Sequence, residues 1–416
     1  MISATLPALS DLQQSGFDSG NFDQYVMGTY ARFPIALERG LGCLVWDSTG
    51  KEYLDFVAGI ATCTLGHAHP AMVAAVTKQI QTLHHISNLY YQSPQGNLAA
   101  WLVQNSCADK VFFCNSGAEA NEAAIKLARK YAHVQLGISD PLIITAVSSF
   151  HGRTLATVTA TGQEKYHKNF TPLVSGFAYV PYNDLAALEQ AIATYEGRVC
   201  AVMLEGLQGE GGVQPGDRAY FQRLREICNH KKLLLIMDEV QVGMGRSGKL
   251  WGYENLGIEP DIFTSAKGLG GGIPIGAMLC RQECDLFAPG DHASTYGGNP
   301  FACAVALAVC ETLVQDHLIA NARERGAQLQ KGLAVIALDY PQLVAGYRGW
   351  GLIQGLVLQD QITPKDLIQA GMDHGLLLVA AGLKVVRFVP PLVVSAAEIE
   401  RALTIVHQAL AGLAGK

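Results

Sequence analysis

At about 150 residues per domain, a chain of 416 residues suits two or three domains. Hydrophobic residues make up 49% and charged residues 16%, against about 25% charged in an average soluble protein; this excludes disorder and supplies a large core and an extensive subunit interface. The formal net charge of −6 carries no basic block, which excludes a nucleic-acid footprint, and the longest apolar run, Phe301 to Cys310, falls well short of the roughly 20 residues of a membrane span.

Residues 1–29 read as a loose or helical arm, and Met1 to Gly20 has neither the charged start nor the apolar core of a signal peptide. The 10 cysteines lie scattered without a CxxC pair and read as buried, reduced thiols, so the chain is expected in the cytoplasm. Residues 41–57 predict a β-hairpin turning at Ser48-Thr49-Gly50-Lys51, and His69-Pro70 opens an apolar-periodic helix over 71–83. Short apolar or β-branched runs at 111–113, 142–145, 156–160, 201–204, 233–237, 262–265 and 275–279 then alternate with helical stretches. That alternation predicts an α/β fold with a mainly parallel sheet wrapped by helices. Helical patterns follow from 300 to about 314 and on to about 337, then strands at 352–358, 376–379 and 385–389 and a last helix from 396. The expected organisation is a large domain over 69–314 beside a smaller α+β domain built from both chain ends, 1–68 and 315–416.

Three segments carry chemistry. After the strand VFFC, Asn115-Ser116-Gly117-Ala118-Glu119-Ala120-Asn121-Glu122 opens a helix, with Ser116 and Glu119 at capping-box spacing. Small residues at a helix N-terminus leave N–H groups free for an anion such as a phosphate, although an ordinary capped helix has the same look. The strand 233–237 ends in Asp238-Glu239, where α/β folds place ligands. Lys267 follows the apolar run IFTSA and precedes four glycines within Gly268 to Gly272, a setting suited to a Schiff-base amine; a lysine alone in a loop is more often simply solvated.

Two other patterns lead nowhere. Gly243-Met244-Gly245-Arg246-Ser247-Gly248 matches GxGxxG, but no apolar-periodic helix follows it, which argues against a nicotinamide site. His67 and His69, with His84 and His85, lack the cysteines or carboxylates that would complete a metal site, so no metal is expected. A phosphate cradle, an acid at one strand end and a lysine at another are together what pyridoxal 5'-phosphate requires.

With these pieces in place, the chain resembles the class III (subgroup II) pyridoxal-phosphate-dependent aminotransferases, and among them the acetylornithine aminotransferases. The resemblance runs from about Tyr30 to Ile399 and rests on GHAHP (66–70), NSGAEANEAAIKLARKY (115–131), FHGRT (150–154), QGEGGV (208–213), DEVQVGMGRSG (238–248), PDIFTSAKGLGGGIPIGA (260–277), HASTYGGNP (292–300) and RFVPPL (387–392). It implies the fold of pyridoxal-phosphate-dependent transferases of fold type I, and a role for each matching residue. Lys267 binds the cofactor covalently, Asp238 pairs with its pyridine nitrogen, Gln241 reaches its phenolic oxygen and Phe150 stacks on its ring. Ser116, Gly117 and Ala118 hold the phosphate, as does Thr295 from the neighbouring subunit, so a homodimer is implied. Tyr30 and Arg153 meet the donor's α-carboxylate; Arg387 binds a carboxylate of the oxo-acid acceptor, with Glu210 as its switchable partner.

The chain departs from the family pattern at Gly206, where EPIQGE has proline, at Ala293 in place of glycine and at Tyr296 in place of phenylalanine. The implied reaction is transfer from N-acetyl-L-ornithine to 2-oxoglutarate in arginine biosynthesis. Succinylornithine, ornithine, 4-aminobutyrate or carrier-linked donors are the near alternatives, and an aminomutase of the same fold is a more distant one. Ornithine enzymes carry tyrosine where this chain has Ile60, and Asn121 resembles acetylornithine rather than 4-aminobutyrate enzymes.

Overall fold

A computed structural model describes residues 19–415, so the expectation for the arm over 1–18 lies outside the described residues. The described chain opens with a short helix, Ser19–Tyr25. β1 (Leu37–Leu41), β2 (Leu44–Asp47) and β3 (Glu52–Asp55) then form an antiparallel meander. Its second turn is the expected one, because Asp47 Oδ1 accepts from the N–H of both Thr49 (2.9 Å) and Lys51 (3.0 Å).

The large sheet takes β4 (Lys110–Cys114), β5 (Leu142–Ala146), β6 (Phe177–Val180) and β7 (Val199–Glu205). After a two-stranded ribbon, β8 (Leu207–Gln208) and β9 (Gln214–Pro215), it is completed by β10 (Leu234–Asp238), β11 (Ile262–Ser265) and β12 (Gly276–Cys280). Its order is β4-β12-β11-β10-β7-β5-β6, and β12 runs antiparallel to both neighbours while the pairings from β11 to β6 are parallel. The central strands read as continuous apolar runs because both faces are covered. Ile143, Ala201, Met203, Leu234 and Ile236 pack with the alanine-rich helix Gly117–Tyr131. The alternate residues Ile144, Val202, Leu204, Leu235 and Met237 face the other way, toward Phe221 and Leu224 of helix Arg218–Lys231.

One expected strand is a helix. Residues 156–160 lie in helix Leu155–Ala160, although three β-branched residues in a row suggest a strand. The hydroxyls satisfy the helix instead. Thr157 Oγ1 accepts from the Thr154 N–H (3.0 Å), while Thr159 and Thr161 donate to the carbonyls four residues back (2.8 and 2.9 Å). One edge of the sheet is β4; the other is β6, whose four residues lie outside every expected strand.

The C-terminal part holds β13 (Val344–Trp350), β14 (Ile353–Leu358), β15 (Leu376–Leu377), β16 (Val379–Ala381) and β17 (Val385–Phe388). β15 pairs in parallel with β3, so the two chain ends share one sheet, and β13-β14-β17-β16 form another. The apolar run at 301–310 is the largely buried interior of helix Pro300–Gln315. Among the described residues no single helix is long and apolar enough to cross a membrane.

Candidate active site

A cavity of about 470 Å³ opens at the C-terminal ends of β7, β10 and β11, where parallel strands leave room between the loops that follow them. Parallel register sets Glu205, Asp238 and Thr264 side by side across these strands. Asp238 is 4% exposed. Its Oδ2 accepts from Asn121 Nδ2 and His151 Nδ1, both at 2.8 Å, and its Oδ1 accepts from the Val240 N–H at 3.0 Å. Asn121 is itself pinned: its Oδ1 accepts from Thr264 Oγ1 (2.7 Å) and its Nδ2 also donates to the His151 carbonyl (2.7 Å). Three donors thus satisfy the buried carboxylate. Burial, with Asp238 alongside, pushes the Glu205 carboxyl well up. Its two oxygens accept from the N–H groups of Phe150 (3.0 Å) and Gly209 (3.3 Å).

Opposite Asp238, helix Gly117–Tyr131 points its N-terminus at the cavity. Ser116 Oγ accepts from the Glu119 N–H at 3.2 Å. The other half of the expected capping box is displaced by one residue, since Glu119 Oε2 accepts from the Asn115 N–H (2.6 Å). The first-turn N–H groups of Gly117 and Ala118 have no carbonyl within the helix to bond. Close packing demands glycine here. A Cβ on Gly117 would stand 2.7 Å from Val240 Cγ1, and one on Gly276 would stand 2.3 Å from the Ser116 carbonyl oxygen.

Lys267 leaves the end of β11 with φ 38°, and its side chain lines the same cavity. Burial, reinforced by Arg387, pushes its ammonium down to about 8 against the pull of Glu210. Arg387, 1% exposed on β17, donates from Nη1 to Glu210 Oε1 (2.7 Å) and to Gln241 Oε1 (2.8 Å). Burial opposes ionisation of Glu210, but Arg387 and Lys267 outweigh it and hold the carboxyl below its ordinary value. Gly209 lies so close beneath Gln241 that a Cβ would meet its Oε1 at 1.9 Å. Gly206 leaves the segment firmly held, because its carbonyl accepts from the Gly216 N–H (2.9 Å) and from the Tyr182 hydroxyl (3.0 Å).

Phe150 and Arg153 also line the cavity, with the Arg153 guanidinium 4.0 Å above the Tyr166 ring. Tyr30 and Thr295 are exposed and are not among the residues of this chain that line the cavity. Sequence reasoning gave no site role to Asn121, His151, Glu205 or Thr264. His151 follows Phe150 directly in FHGRT, which was the available signal. His69 accepts from the Ala71 N–H (3.3 Å) as a helix cap and His67 pairs with Asp55 (2.8 Å); among the described residues no group of three or more His, Cys, Asp or Glu gathers to hold a metal.

The donor set suits pyridoxal 5'-phosphate: an N–H cradle for its phosphate, a buried acid for its ring nitrogen and a desolvated lysine for its aldehyde. An acetylornithine aminotransferase of a Nostoc species is 65% identical over 410 residues, covering 97% of this chain and 96% of the relative. The solved N-acetylornithine aminotransferase of Stenotrophomonas maltophilia is 39% identical with a TM-score of 0.81, covering 93% of this chain and 98% of that one. The ornithine aminotransferase of Toxoplasma gondii superposes with a TM-score of 0.94 at 32% identity, over 99% of both chains. The family model for class-III aminotransferases matches residues 25–410, and the chain belongs to that family.

Proposed function

We propose that this chain transfers the amino group of N-acetyl-L-ornithine to 2-oxoglutarate, giving N-acetyl-L-glutamate 5-semialdehyde and L-glutamate in arginine biosynthesis. The observation that carries this reading is the Glu210–Arg387 pair at 2.7 Å inside the cavity that Lys267 lines. The donor has one carboxylate and a neutral acylated amine; the acceptor has two carboxylates and needs a second cation. A pair that opens supplies that cation for one substrate and hides it from the other.

When bound, pyridoxal 5'-phosphate supplies an aldehyde that takes up the amino group and a ring that withdraws electrons from the substrate carbon. Ser116, Gly117 and Ala118 hold the phosphate, and Phe150 covers one ring face. Asp238 keeps a proton on the ring nitrogen, with Asn121 and His151 fixing the carboxylate, while Gln241 serves the phenolic oxygen. Lys267 Nζ would carry the proton between the substrate carbon and the cofactor, a task suited to an amine whose value is lowered toward the working pH. Arg153 and Tyr30 bind the α-carboxylate of the donor.

The working unit in this reading is a homodimer in which Thr295 reaches the phosphate of the partner's site. Helix Pro70–Thr82 buries none of its residues although it carries Met72, Val73, Val76 and Ile80, and Leu89, Tyr90 and Tyr91 beyond it are exposed as well. Such an apolar surface needs a cover, and a second copy provides it. Sedimentation that finds a fully active monomer at assay concentration would rule this out. The division into 69–314 and the joined ends 1–68 and 315–416 belongs to the same reading, supported by the sheet in which β15 meets β3. A cytoplasmic location fits the unpaired cysteines. The substrate assignment is tested with 2-oxoglutarate fixed and acetylornithine, succinylornithine, ornithine and 4-aminobutyrate as donors; acetylornithine should give the highest kcat/KM, and a preference for free ornithine would overturn the assignment.

A further inference from the structure

The glycine-rich loop at 243–248 carries a buried cation that the chemistry above does not use. Arg246 is 2% exposed. No carboxylate pairs with it among the described residues; its Nη1 donates to two backbone carbonyls, Leu352 (3.0 Å) and Pro390, and Nη2 has no partner. A guanidinium taken out of water without a counter-ion is costly, so its placement requires a structural return.

That return lies in the register of the sheet holding Arg387. β14 and β17 run antiparallel, with Gly355 opposite Arg387 and Gln354 opposite Phe388, and there the ladder stops. Leu352 stands three residues before Gly355 and Pro390 three residues after Arg387, so these carbonyls belong to the rung the ladder would reach if it continued. Arg246 joins them in place of the missing pairing. Its own carbonyl accepts from the Leu352 N–H (2.9 Å), so side chain and backbone grip the same residue. The surrounding glycines permit the approach. Gly245 has φ +86° and a Cβ there would meet Leu392 Cδ1 at 3.0 Å; Gly351 has φ +46° and a Cβ there would meet the Ser247 carbonyl carbon at 2.5 Å. Arg387 is one rung from the end of the ladder, where an unclamped pair of strands frays first.

We infer that Arg246 is a positioning residue for Arg387: by closing the open end of the β14–β17 ladder, it sets where the acceptor-binding guanidinium stands and so governs selectivity for a dicarboxylate oxo-acid. The inference rests on the reading of Arg387 as the acceptor's cation. Lysine cannot reproduce the bridge, because it offers a point charge in place of a planar fork. A displacement of about 1 Å can cost up to about a hundredfold in rate, which sets the upper end of the effect.

Single-turnover kinetics on purified holoenzyme test this, with the donor half-reaction and the acceptor half-reaction measured separately and 2-oxoglutarate compared with the monocarboxylate pyruvate. Arg246→Lys should lower kcat/KM for 2-oxoglutarate by roughly ten- to a hundredfold, leaving the donor half-reaction and pyruvate nearly unchanged. Added to Arg387→Ala it should cause no further loss, because both changes remove one interaction. Gly351→Ala, which pushes the same contact from the other side, should reproduce the selective loss if the lysine variant does not fold. Parallel losses in both half-reactions, or losses that add to those of Arg387→Ala, would overturn the inference while leaving the acceptor role of Arg387 standing. An Arg387→Ala enzyme with no acceptor-selective loss would overturn that role and this inference together.

Discussion

Asp238 and Arg387 are both buried charges facing one cavity, and they are held in opposite ways. Asp238 receives three hydrogen bonds, from Asn121, His151 and the Val240 N–H, and Asn121 is itself tied to Thr264 and the His151 carbonyl. Arg387 has its charge balanced by one carboxylate, Glu210, whose side chain is 24% exposed, and its Nε has no partner. A charge surrounded by fixed donors is permanent. A charge balanced by one half-buried partner can be uncovered by moving a single side chain. The first arrangement suits a cofactor that stays, the second a pocket that must accept two different substrates in turn.

The largest effect is expected where both ends meet, at Lys267. Lys267→Ala should abolish repeated turnover while non-covalent cofactor binding persists, because Asp238 and the helix N-terminus are untouched. Absorbance of the bound cofactor together with a multiple-turnover assay checks both halves of that statement, and near wild-type turnover would sink the assignment. Asp238→Ala breaks the permanent end. Removing one member of a buried charged network typically costs about 3–5 kcal/mol, or roughly a hundred- to a few-thousandfold, and the loss should fall equally on both half-reactions.

Arg387→Ala breaks the other end and should behave differently. Truncating one partner of a buried pair costs about 2–5 kcal/mol, so the acceptor half-reaction with 2-oxoglutarate should slow by roughly thirty- to a few-thousandfold while the donor half-reaction suffers much less. Glu210→Ala should do the reverse, leaving Arg387 uncovered and admitting dicarboxylate amines more readily. Equal losses in both halves for Arg387→Ala would make the arginine a support for the pocket and remove the contrast with Asp238.

A milder test uses pH. Lys267 is lowered from 10.5 to about 8, with desolvation as the main cause. Only the neutral amine attacks an aldehyde, and deprotonation increases with pH. The rate at which apoenzyme captures the cofactor should therefore rise with pH and level off above about 8. A rate still climbing at the ordinary lysine value of 10.5 would show that the amine is not desolvated.

The same contrast explains what the sequence revealed. The permanent end was legible because each part sits at a strand or helix terminus that the pattern marks: VFFC before Ser116, LLLIM before Asp238, IFTSA before Lys267. The network around Asp238 was not, because Asn121, His151 and, behind Asn121, Thr264 come from three separate segments that only the folded sheet brings together. Helix 155–160 misled for a related reason, since threonine side chains that favour strands by shape also satisfy carbonyls along a helix. The partners of the switchable end lie 177 residues apart, and resemblance to the family, not periodicity, joined Glu210 to Arg387. Arg246 is not legible in the sequence either, because a GxGxxG pattern speaks of phosphates and says nothing about a guanidinium that reaches the carbonyls of Leu352 and Pro390.

The smallest expected effect sharpens the question of how Glu210 moves. Gly206 stands where the family has proline, and a freer backbone there could serve the swing of Glu210 four residues on. The contacts argue otherwise. A Cβ on Gly206 would lie 3.5 Å from Leu256 Cδ1 and from Met237 Cε, ordinary van der Waals distances, and its φ is outside the left-handed region. Its carbonyl is held by Gly216 and Tyr182. Replacing glycine by alanine at a compatible position stabilises by about 0.4–1 kcal/mol, chiefly by restricting the unfolded chain. Gly206→Ala should therefore raise Tm by roughly 1–3 °C with the ratio of the two half-reaction rates unchanged. If that ratio shifts instead, with the acceptor half slowed, the freedom of Gly206 is part of the switch, and the hinge of the movable charge lies at the end of β7 and not in the Glu210 side chain.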